Sequence, residues 1–204
     1  MSYTFNRSFP NTRLRRLRYN DNIRAMVQET SLEPKHLIAP VFVLDGHNQR
    51  QAVASMPGVE RLSIDLLIEH AKALLSLGVT TIDLFPVIDP SLKSLHAEHA
   101  YDENGLACRA IKAIKDALPD MVVMTDVALD PYTSHGQDGI VDHNGYVMND
   151  VTVEILAKQA LSHARAGADI ISPSDMMDGR ISALRQALDG ENFINTAIMA
   201  DSAK

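Results

Sequence analysis

The sequence predicts an α/β protein built on a parallel sheet, and more specifically the first part of a (β/α)8 TIM barrel. Short apolar, β-branched runs alternate with amphipathic helical segments, and this alternation requires crossover connections between parallel strands. Polar residues that can do chemistry follow several different strands, as they do at the carboxyl end of a barrel. The sequence contains neither a G-x-G-x-x-G motif nor a P-loop, which disfavours an open nucleotide-binding sheet.

Five strands and four helices account for the chain beyond its first 35 residues. The strands are predicted over 37–44, 80–86, 121–125, 168–172 and 196–200. The helices are predicted between Ser63 and Gly78, from Ala107 to Leu118, from about Asp150 to Arg165, and from about Gly179 to Leu188. We expect the Ser63 side chain to cap the first of these helices. A complete barrel usually needs about 250 residues, so in these 204 residues we expect a barrel truncated after about the fifth strand.

Residues 1–35 are predicted to form an arm outside the barrel portion, which spans 36–204. The arm is rich in arginine and carries few apolar residues between the arginines. Three interpretations stay open from the residues alone: a mobile segment, an arm that docks on another subunit, and a nucleic-acid patch.

The composition of the chain excludes several classes of protein. The net charge of −7 argues against nucleic acid as the main partner, because phosphate binding depends on clustered basic charge. No apolar run approaches the roughly 20 residues that span a bilayer. Cys108 is the only cysteine, which excludes an intrachain disulfide and favours a reducing compartment. We therefore expect a soluble cytoplasmic protein without a membrane partner.

The acidic loop over 126–139 is the most informative stretch. It contains Asp126, Asp130, Asp138 and His135 directly after a buried strand. Such oxygen-rich side chains could hold Mg²⁺ or a monovalent cation, with Asp130 and Asp138 as the metal ligands. Alternatively Asp126 caps a turn and the other two carboxylates are solvated. A metal-dependent hydrolase that uses Asp126, Asp130 and His135 is a further alternative.

Two more candidate sites follow later strands. Ser174 and Asp175 come directly after the fourth strand and place a hydroxyl and an acid at the mouth of a barrel. Lys204, just past the fifth strand, could form a Schiff base, although a lysine of ordinary pKa is only about 0.04% neutral at pH 7. Such a role therefore needs a depressed pKa. The alternative is a solvated surface lysine.

Together these motifs resemble the delta-aminolevulinic acid dehydratase family over essentially the whole chain. The resemblance is carried by Thr12–Arg16, Pro40–Val43, Ser55–Gly58, Leu84–Val87, Asp126–Gly139, Pro173–Arg180, Ile198–Ala200 and Ser202–Lys204. It implies a TIM barrel and a hydro-lyase that condenses two 5-aminolevulinate molecules to porphobilinogen, with loss of two waters, for haem and other tetrapyrroles. It also implies a homo-oligomer, with dimers that assemble through the arm to an octamer or, in some members, to a hexamer.

The resemblance assigns roles to the candidate residues. Lys204 would be the first of two Schiff-base lysines, Asp126 a carboxylate that handles protons, and Ser174 and Asp175 residues lining the pocket. Zinc-dependent members carry three cysteines in the loop where this chain has Ala128, Asp130 and Asp138. The chain therefore resembles the aspartate-rich branch, which implies no catalytic zinc, an allosteric Mg²⁺ and a monovalent cation.

Two departures from the family pattern have consequences. Asp201 stands where the family usually has tyrosine, and a carboxylate there would tend to raise the pKa of Lys204. The second lysine, the lid and the glutamate for Mg²⁺ would lie beyond Lys204, so a polypeptide of only these residues should be inactive. A catalytically dead half-barrel that serves as an assembly partner is accordingly an alternative to the active enzyme.

Overall fold

The computed structural model describes residues 8–202, and the chain divides between Glu33 and Pro34 into two compact units. In the first unit a 3-10 turn at Leu14–Arg18 precedes helix α1, Asp21–Val27. The Asn20 side chain caps α1 by accepting the backbone N–H of Ile23 at 2.9 Å. No residue from 8 to 33 is buried, so the described part of this unit has no core of its own.

The second unit contains one seven-stranded sheet. Its strands are β1 (Ile38–Leu44), β2 (Arg50–Ala52), β3 (Glu60–Ser63), β4 (Thr81–Pro86), β5 (Val122–Val127), β6 (Ile170–Pro173) and β7 (Ala197–Ile198). The order across the sheet is β2-β3-β1-β4-β5-β6-β7, and every pairing is parallel except that of β2 with β3. All five predicted strands are present at their predicted places. The short strands β2 and β3 were not predicted.

Four helices connect the parallel strands. They are α2 (Ile64–Ser76), α3 (Leu106–Ala117), α4 (Asn149–Ala166) and α5 (Arg180–Gly190). Gly167 ends α4 in the left-handed conformation, with φ of 108°, which glycine adopts without strain. Ser63 does occupy the N-cap position of α2, but its side chain makes no capping bond. Its hydroxyl instead donates to Asp65 at 2.6 Å and accepts the N–H of Gln49 at 2.9 Å. The prediction that the Ser63 side chain caps α2 is therefore wrong, although the residue lies at the N-cap position.

The two faces of the parallel sheet have different roles. Val43, Leu84 and Val123 are buried in the apolar core together with Leu67 of α2 and Ile111 of α3. Residues on alternate positions point to the opposite face, because successive side chains of a strand alternate. One face of the sheet is therefore covered by helices, and the other is left for a cavity. Among residues 8–202 no helix is both long and apolar enough to cross a membrane.

Candidate functional site

The helix-free face of the sheet borders a cavity of about 360 Å³. Pro40, Asp83 and Met124 lie side by side across β1, β4 and β5, since Pro40 pairs with Asp83 and Asp83 pairs with Met124. The full lining consists of Ile38, Pro40, Asp83, Phe85, Met124, Ser172, Met199, Ala200 and Asp201. The cavity is thus mostly apolar, with carboxylates contributed by two different segments. A pocket of this composition can select a small ligand by a few polar contacts.

Asp126 and Ser174 come together at the carboxyl ends of two neighbouring strands. Asp126 is in β5 and pairs in register with Ser172 of β6, two residues before Ser174. The Ser174 hydroxyl donates a hydrogen bond to Asp126 Oδ1 at 2.5 Å. Asp126 is 8% exposed, so its carboxylate sits in a largely dry environment where this bond is strong. The sequence-based pairing of these two residues in one site therefore corresponds to a direct contact.

Asp83 is a further site residue that the sequence analysis did not single out. Burial, together with the charges of Asp126 and Asp201, raises the pKa of its carboxyl group to about 7. Its Oδ1 atom is buried without a hydrogen-bond partner among the described residues. The available signal was an acid in the middle of an apolar strand, between Ile82 and Leu84. A carboxyl group with such a pKa can give or take a proton near neutral pH.

Asp175 is placed differently from Ser174. Its side chain is fully buried, with Oδ2 3.2 Å from Arg180 Nε, and its Oδ1 accepts the N–H of Met177 at 2.7 Å. Burial is the main cause that raises the pKa of Asp175, while the Met177 N–H and the Arg180 charge lower it. Asp175 is not among the residues that line the cavity. In this structure it anchors the loop after β6.

The acidic loop separates its members. Asp138 is buried, whereas Asp130 and His135 are exposed, and the His135 ring nitrogen Nδ1 accepts the N–H of Gln137 at 3.2 Å. Within residues 8–202, no group of three or more His, Cys, Asp or Glu side chains is arranged to hold a metal ion. The metal-hydrolase constellation of Asp126, Asp130 and His135 is therefore not assembled among these residues, and the proposal of Asp130 and Asp138 as ligands of a hard cation stays a prediction.

The segment after β7 continues along the edge of the sheet. The N–H of Asp201 donates to the carbonyl of Pro173 at 3.0 Å, and Asp201 borders the cavity. This places an extra carboxylate on the same side as Asp83. The predicted nucleophile, Lys204, lies outside the described residues.

Comparison with known proteins agrees with this arrangement. The family model "Delta-aminolevulinic acid dehydratase" matches residues 11–204. The delta-aminolevulinic acid dehydratase of Bradyrhizobium diazoefficiens is 48% identical over 192 residues, which are 94% of this chain and 54% of that protein. The chloroplastic enzyme of Chlamydomonas reinhardtii is 47% identical, over 95% of this chain and 50% of its own length. The chain thus spans about half the length of the curated relatives it matches.

A solved structure gives the same result for the fold. The delta-aminolevulinic acid dehydratase (porphobilinogen synthase) of Toxoplasma gondii, in complex with the reaction product porphobilinogen, is similar with a TM-score of 0.88 and 48% identity. The similarity covers 95% of this chain and 55% of that one. The prediction of a TIM-barrel sheet, present here in part, is confirmed. The chain belongs to the delta-aminolevulinic acid dehydratase family.

Proposed function

We propose that the full chain, meaning a polypeptide of the relatives' length that contains these 204 residues, is a porphobilinogen synthase, which condenses two molecules of 5-aminolevulinate to porphobilinogen and releases two waters. The observation that carries this proposal is the hydrogen bond between Ser174 and Asp126 on adjoining strand ends, beside a cavity that also holds Asp83. Family membership supports it, as does the description of the Toxoplasma gondii relative as a complex with porphobilinogen. A condensation of this kind must move several protons, and the site supplies carboxyl groups for that purpose.

The proposed chemistry begins at Lys204. Its neutral amine attacks the ketone of one of the two substrate molecules, and loss of one water leaves a C=N bond in which the lysine nitrogen replaces the ketone oxygen. Asp126, oriented by the Ser174 hydroxyl, is the carboxylate that accepts and returns protons near the reacting carbons. Asp83, with its pKa of about 7, is available as a second proton carrier. Asp175 acts indirectly: its contacts with Met177 and Arg180 fix the loop that carries Ser174.

The test is to trap the Schiff base. Sodium borohydride added to the full chain together with 5-aminolevulinate should reduce the C=N bond and leave a stable covalent adduct, located by peptide mass spectrometry on Lys204. Lys204→Ala should remove this adduct and lower the turnover of porphobilinogen by at least about 1,000-fold.

Matched controls make the result specific. Lys115→Ala removes a lysine whose Nζ contacts Asp169 and the Met121 carbonyl at the amino ends of β6 and β5, so it should keep the adduct on Lys204. Omission of substrate should abolish labelling. An adduct on another lysine alone, or its complete absence in a protein that makes porphobilinogen, would remove the proposed role of Lys204.

The remaining expectations are proposals of the same kind. We place the enzyme in the cytoplasm, as a homo-octamer assembled from dimers through the N-terminal arm, and expect activation by Mg²⁺ and a monovalent cation without catalytic zinc. The aspartate-rich loop supports a preference for hard cations. Because the described residues do not complete a metal site, no step of the reaction is assigned to a cation.

The two alternatives from the sequence are less well supported. A metal-dependent hydrolase would need Asp126, Asp130 and His135 around one ion, and these residues are not grouped in that way. A dead half-barrel that serves only as an assembly partner is not favoured by the comparisons, since the curated relatives cited above are named as dehydratases.

A further inference from the structure

The first turn of α4 meets both loops that carry candidate site residues. The loop after β5 covers 128–148 and includes Asp138, and the loop after β6 covers 174–179 and begins with Ser174. These loops are neighbours because β5 and β6 pair directly. The side chains in the first turn of α4 are the points where the loops are attached to a rigid element.

Asn149, the first residue of α4, holds the loop after β6. Its Oδ1 accepts the backbone N–H of Asp178 at 2.7 Å, and its Nδ2 donates to the carbonyl oxygen of the same residue at 3.2 Å. The side-chain amide therefore satisfies both polar backbone groups of Asp178, as a neighbouring strand would. Nδ2 also lies 3.1 Å from Asp150 Oδ1, which helps to fix the orientation of the amide.

Thr152, one turn along, holds the loop after β5. Its buried hydroxyl accepts the N–H of Ile140 at 2.9 Å and donates to the carbonyl of Met148 at 2.7 Å. The N–H of Met148 in turn donates to the carbonyl of Ile140 at 2.7 Å. Ile140 follows Asp138 by two residues, so this attachment lies directly beside the buried carboxylate of the loop.

The two loops also touch each other at Gly139. A Cβ atom built on Gly139 would lie 2.6 Å from Val147 Cγ1, 2.9 Å from Thr152 Oγ1 and 3.2 Å from Met177 Cε. Met177 belongs to the loop after β6 and Thr152 to α4. Both loops and the helix therefore pack together here without room for another methyl group.

The attachment by Asn149 differs in kind from the other bonds of the loop after β6. Asp175 accepts the N–H of Met177 within the loop, and Arg180, the first residue of α5, donates to the Met177 carbonyl at 2.9 Å. The N–H of Ser174 donates to the carbonyl of Val127 at 3.3 Å and fixes the start of the loop on β5. Asn149 fixes its far end on α4. Without Asn149, the loop would stay joined to β6 and to α5, but it would lose its side-chain attachment to α4 at Asp178.

We propose that Asn149 is a positioning residue for the reaction of this site: by holding Asp178, it sets the position of Ser174 against Asp126. The proposal rests on the function proposed above. A hydroxyl that must meet a carboxylate at 2.5 Å tolerates little displacement, because effective geometry in an active site is lost over about 1 Å. Asn149 contributes this through the backbone of Asp178 and not by touching the substrate.

The test compares three variants of the full chain. Asn149→Ala removes both bonds to Asp178, and Asn149→Asp keeps the acceptor but loses the donor. Gln186→Ala is the matched control, since this exposed amide on α5 contacts Ser182 and lies within one helix. We measure kcat and KM for porphobilinogen formation, and amide hydrogen exchange by mass spectrometry in peptides that cover 174–179.

We expect Asn149→Ala to lower kcat about tenfold with a much smaller change in KM, and to speed exchange in 174–179 but not in α2. Asn149→Asp should fall between Asn149→Ala and the wild type, and Gln186→Ala should match the wild type in every measurement. A loss of kcat is the readout that a merely structural bond on the surface would not produce.

Two outcomes would overturn the proposal. If exchange in 174–179 is the same in Asn149→Ala as in the wild type, Asn149 does not hold the loop. If exchange rises but kcat stays at the wild-type value, the loop is held without consequence for the reaction. Failure of the proposed function is distinguishable, because it is a lack of turnover in the wild type, and the exchange measurement does not depend on turnover.

Discussion

Asp83 shows how a single residue can set the electrostatics of a cavity. It projects from a strand into a mostly apolar space and faces the charges of Asp126 and Asp201. Both burial and like charge disfavour its ionised form, so the folded state holds this proton more tightly than the unfolded chain does. The pKa rises from 3.8 unfolded to about 7 folded.

The expected consequence is a pH-dependent stability that Asp83→Asn should remove. Well below pH 3.8 the carboxyl is protonated in both states and carries no penalty. As the pH rises from about 4 to 7 the unfolded state ionises first, so Asp83 increasingly destabilises the fold, and above pH 7 the penalty is complete. At pH 8 we expect Asp83→Asn to raise the free energy of unfolding by about 2 kcal/mol, and at pH 4 to change it little.

Urea unfolding at both pH values measures this difference. Asp116→Asn, a substitution on α3 at a residue that does not line the cavity, is the control and gives the baseline effect of removing a carboxylate at each pH. Equal effects of Asp83→Asn at pH 4 and pH 8 would mean that Asp83 is ionised in the folded protein throughout this range.

Buried polar residues on the helix side of the sheet were beyond prediction from sequence. His163 is fully buried on α4, its Nδ1 lies 3.1 Å from the Thr125 hydroxyl, and burial lowers its pKa to about 4. Only the docking of α4 on β5 brings these two residues together, and they are 38 positions apart in the chain. By contrast, Ser174 and Asp126 could be expected in one site in advance, because both come at the ends of predicted strands and the carboxyl ends of parallel strands converge.

At the scale of elements, the junction at Gly139 predicts a steep response to one methyl group. Gly139→Ala would place its Cβ within 3 Å of Val147 and of the Thr152 hydroxyl. That hydroxyl cannot move away freely, because it accepts the backbone N–H of Ile140. We expect a loss of about 1–3 kcal/mol in the free energy of unfolding, because the packed loops must shift.

The matched control is Gly190→Ala. A Cβ at Gly190 would meet nothing within 4 Å, and Gly190 lies in the last turn of α5. Alanine there should be neutral or stabilise the protein by up to about 1 kcal/mol. Thermal and urea unfolding of both variants provide the measurement, and similar effects at the two positions would contradict the tight packing inferred at Gly139.

The long, apolar elements were predictable, and the short polar ones were not. Strands β1, β4 and β5 are β-branched and apolar, so their sequence favours a strand wherever they are placed. Strand β2 is Arg50–Ala52, exposed at every position, and exists only because β3 lies beside it. Ser63 illustrates the same limit. Its N-cap position could be predicted from the sequence, but its hydroxyl bonds to Asp65 and to the N–H of Gln49 and makes no capping bond to α2.

At the scale of the whole molecule, the exposed N-terminal unit predicts an effect on assembly. Its described residues include Leu14, Tyr19 and Met26, which are 81%, 83% and 75% exposed. Large apolar side chains that the unit does not bury itself are suited to a second subunit. We expect the double variant Leu14→Ser/Tyr19→Ser to form smaller assemblies than the wild type, measured by light scattering after size-exclusion chromatography.

Leu77→Ser is the control for this experiment. Leu77 is 68% exposed, but it belongs to the second unit, at the end of α2. Its replacement should leave the assembly mass unchanged. If the double variant also keeps the wild-type assembly mass, these arm residues are not needed for assembly, and the interpretation of an arm without a docking role is favoured.

The order of the strands has a consequence for biosynthesis. β1, β4, β5, β6 and β7 lie in the sheet in the order in which the ribosome makes them. Each strand after β1 therefore finds a finished neighbour when it emerges, and no strand of this series waits for one still to be translated. Growth of the sheet can follow elongation, which proceeds at about 5–20 residues per second. The emerging chain then exposes one unpaired leading edge at a time, and nascent-chain force measurements would detect a step as each strand leaves the exit tunnel.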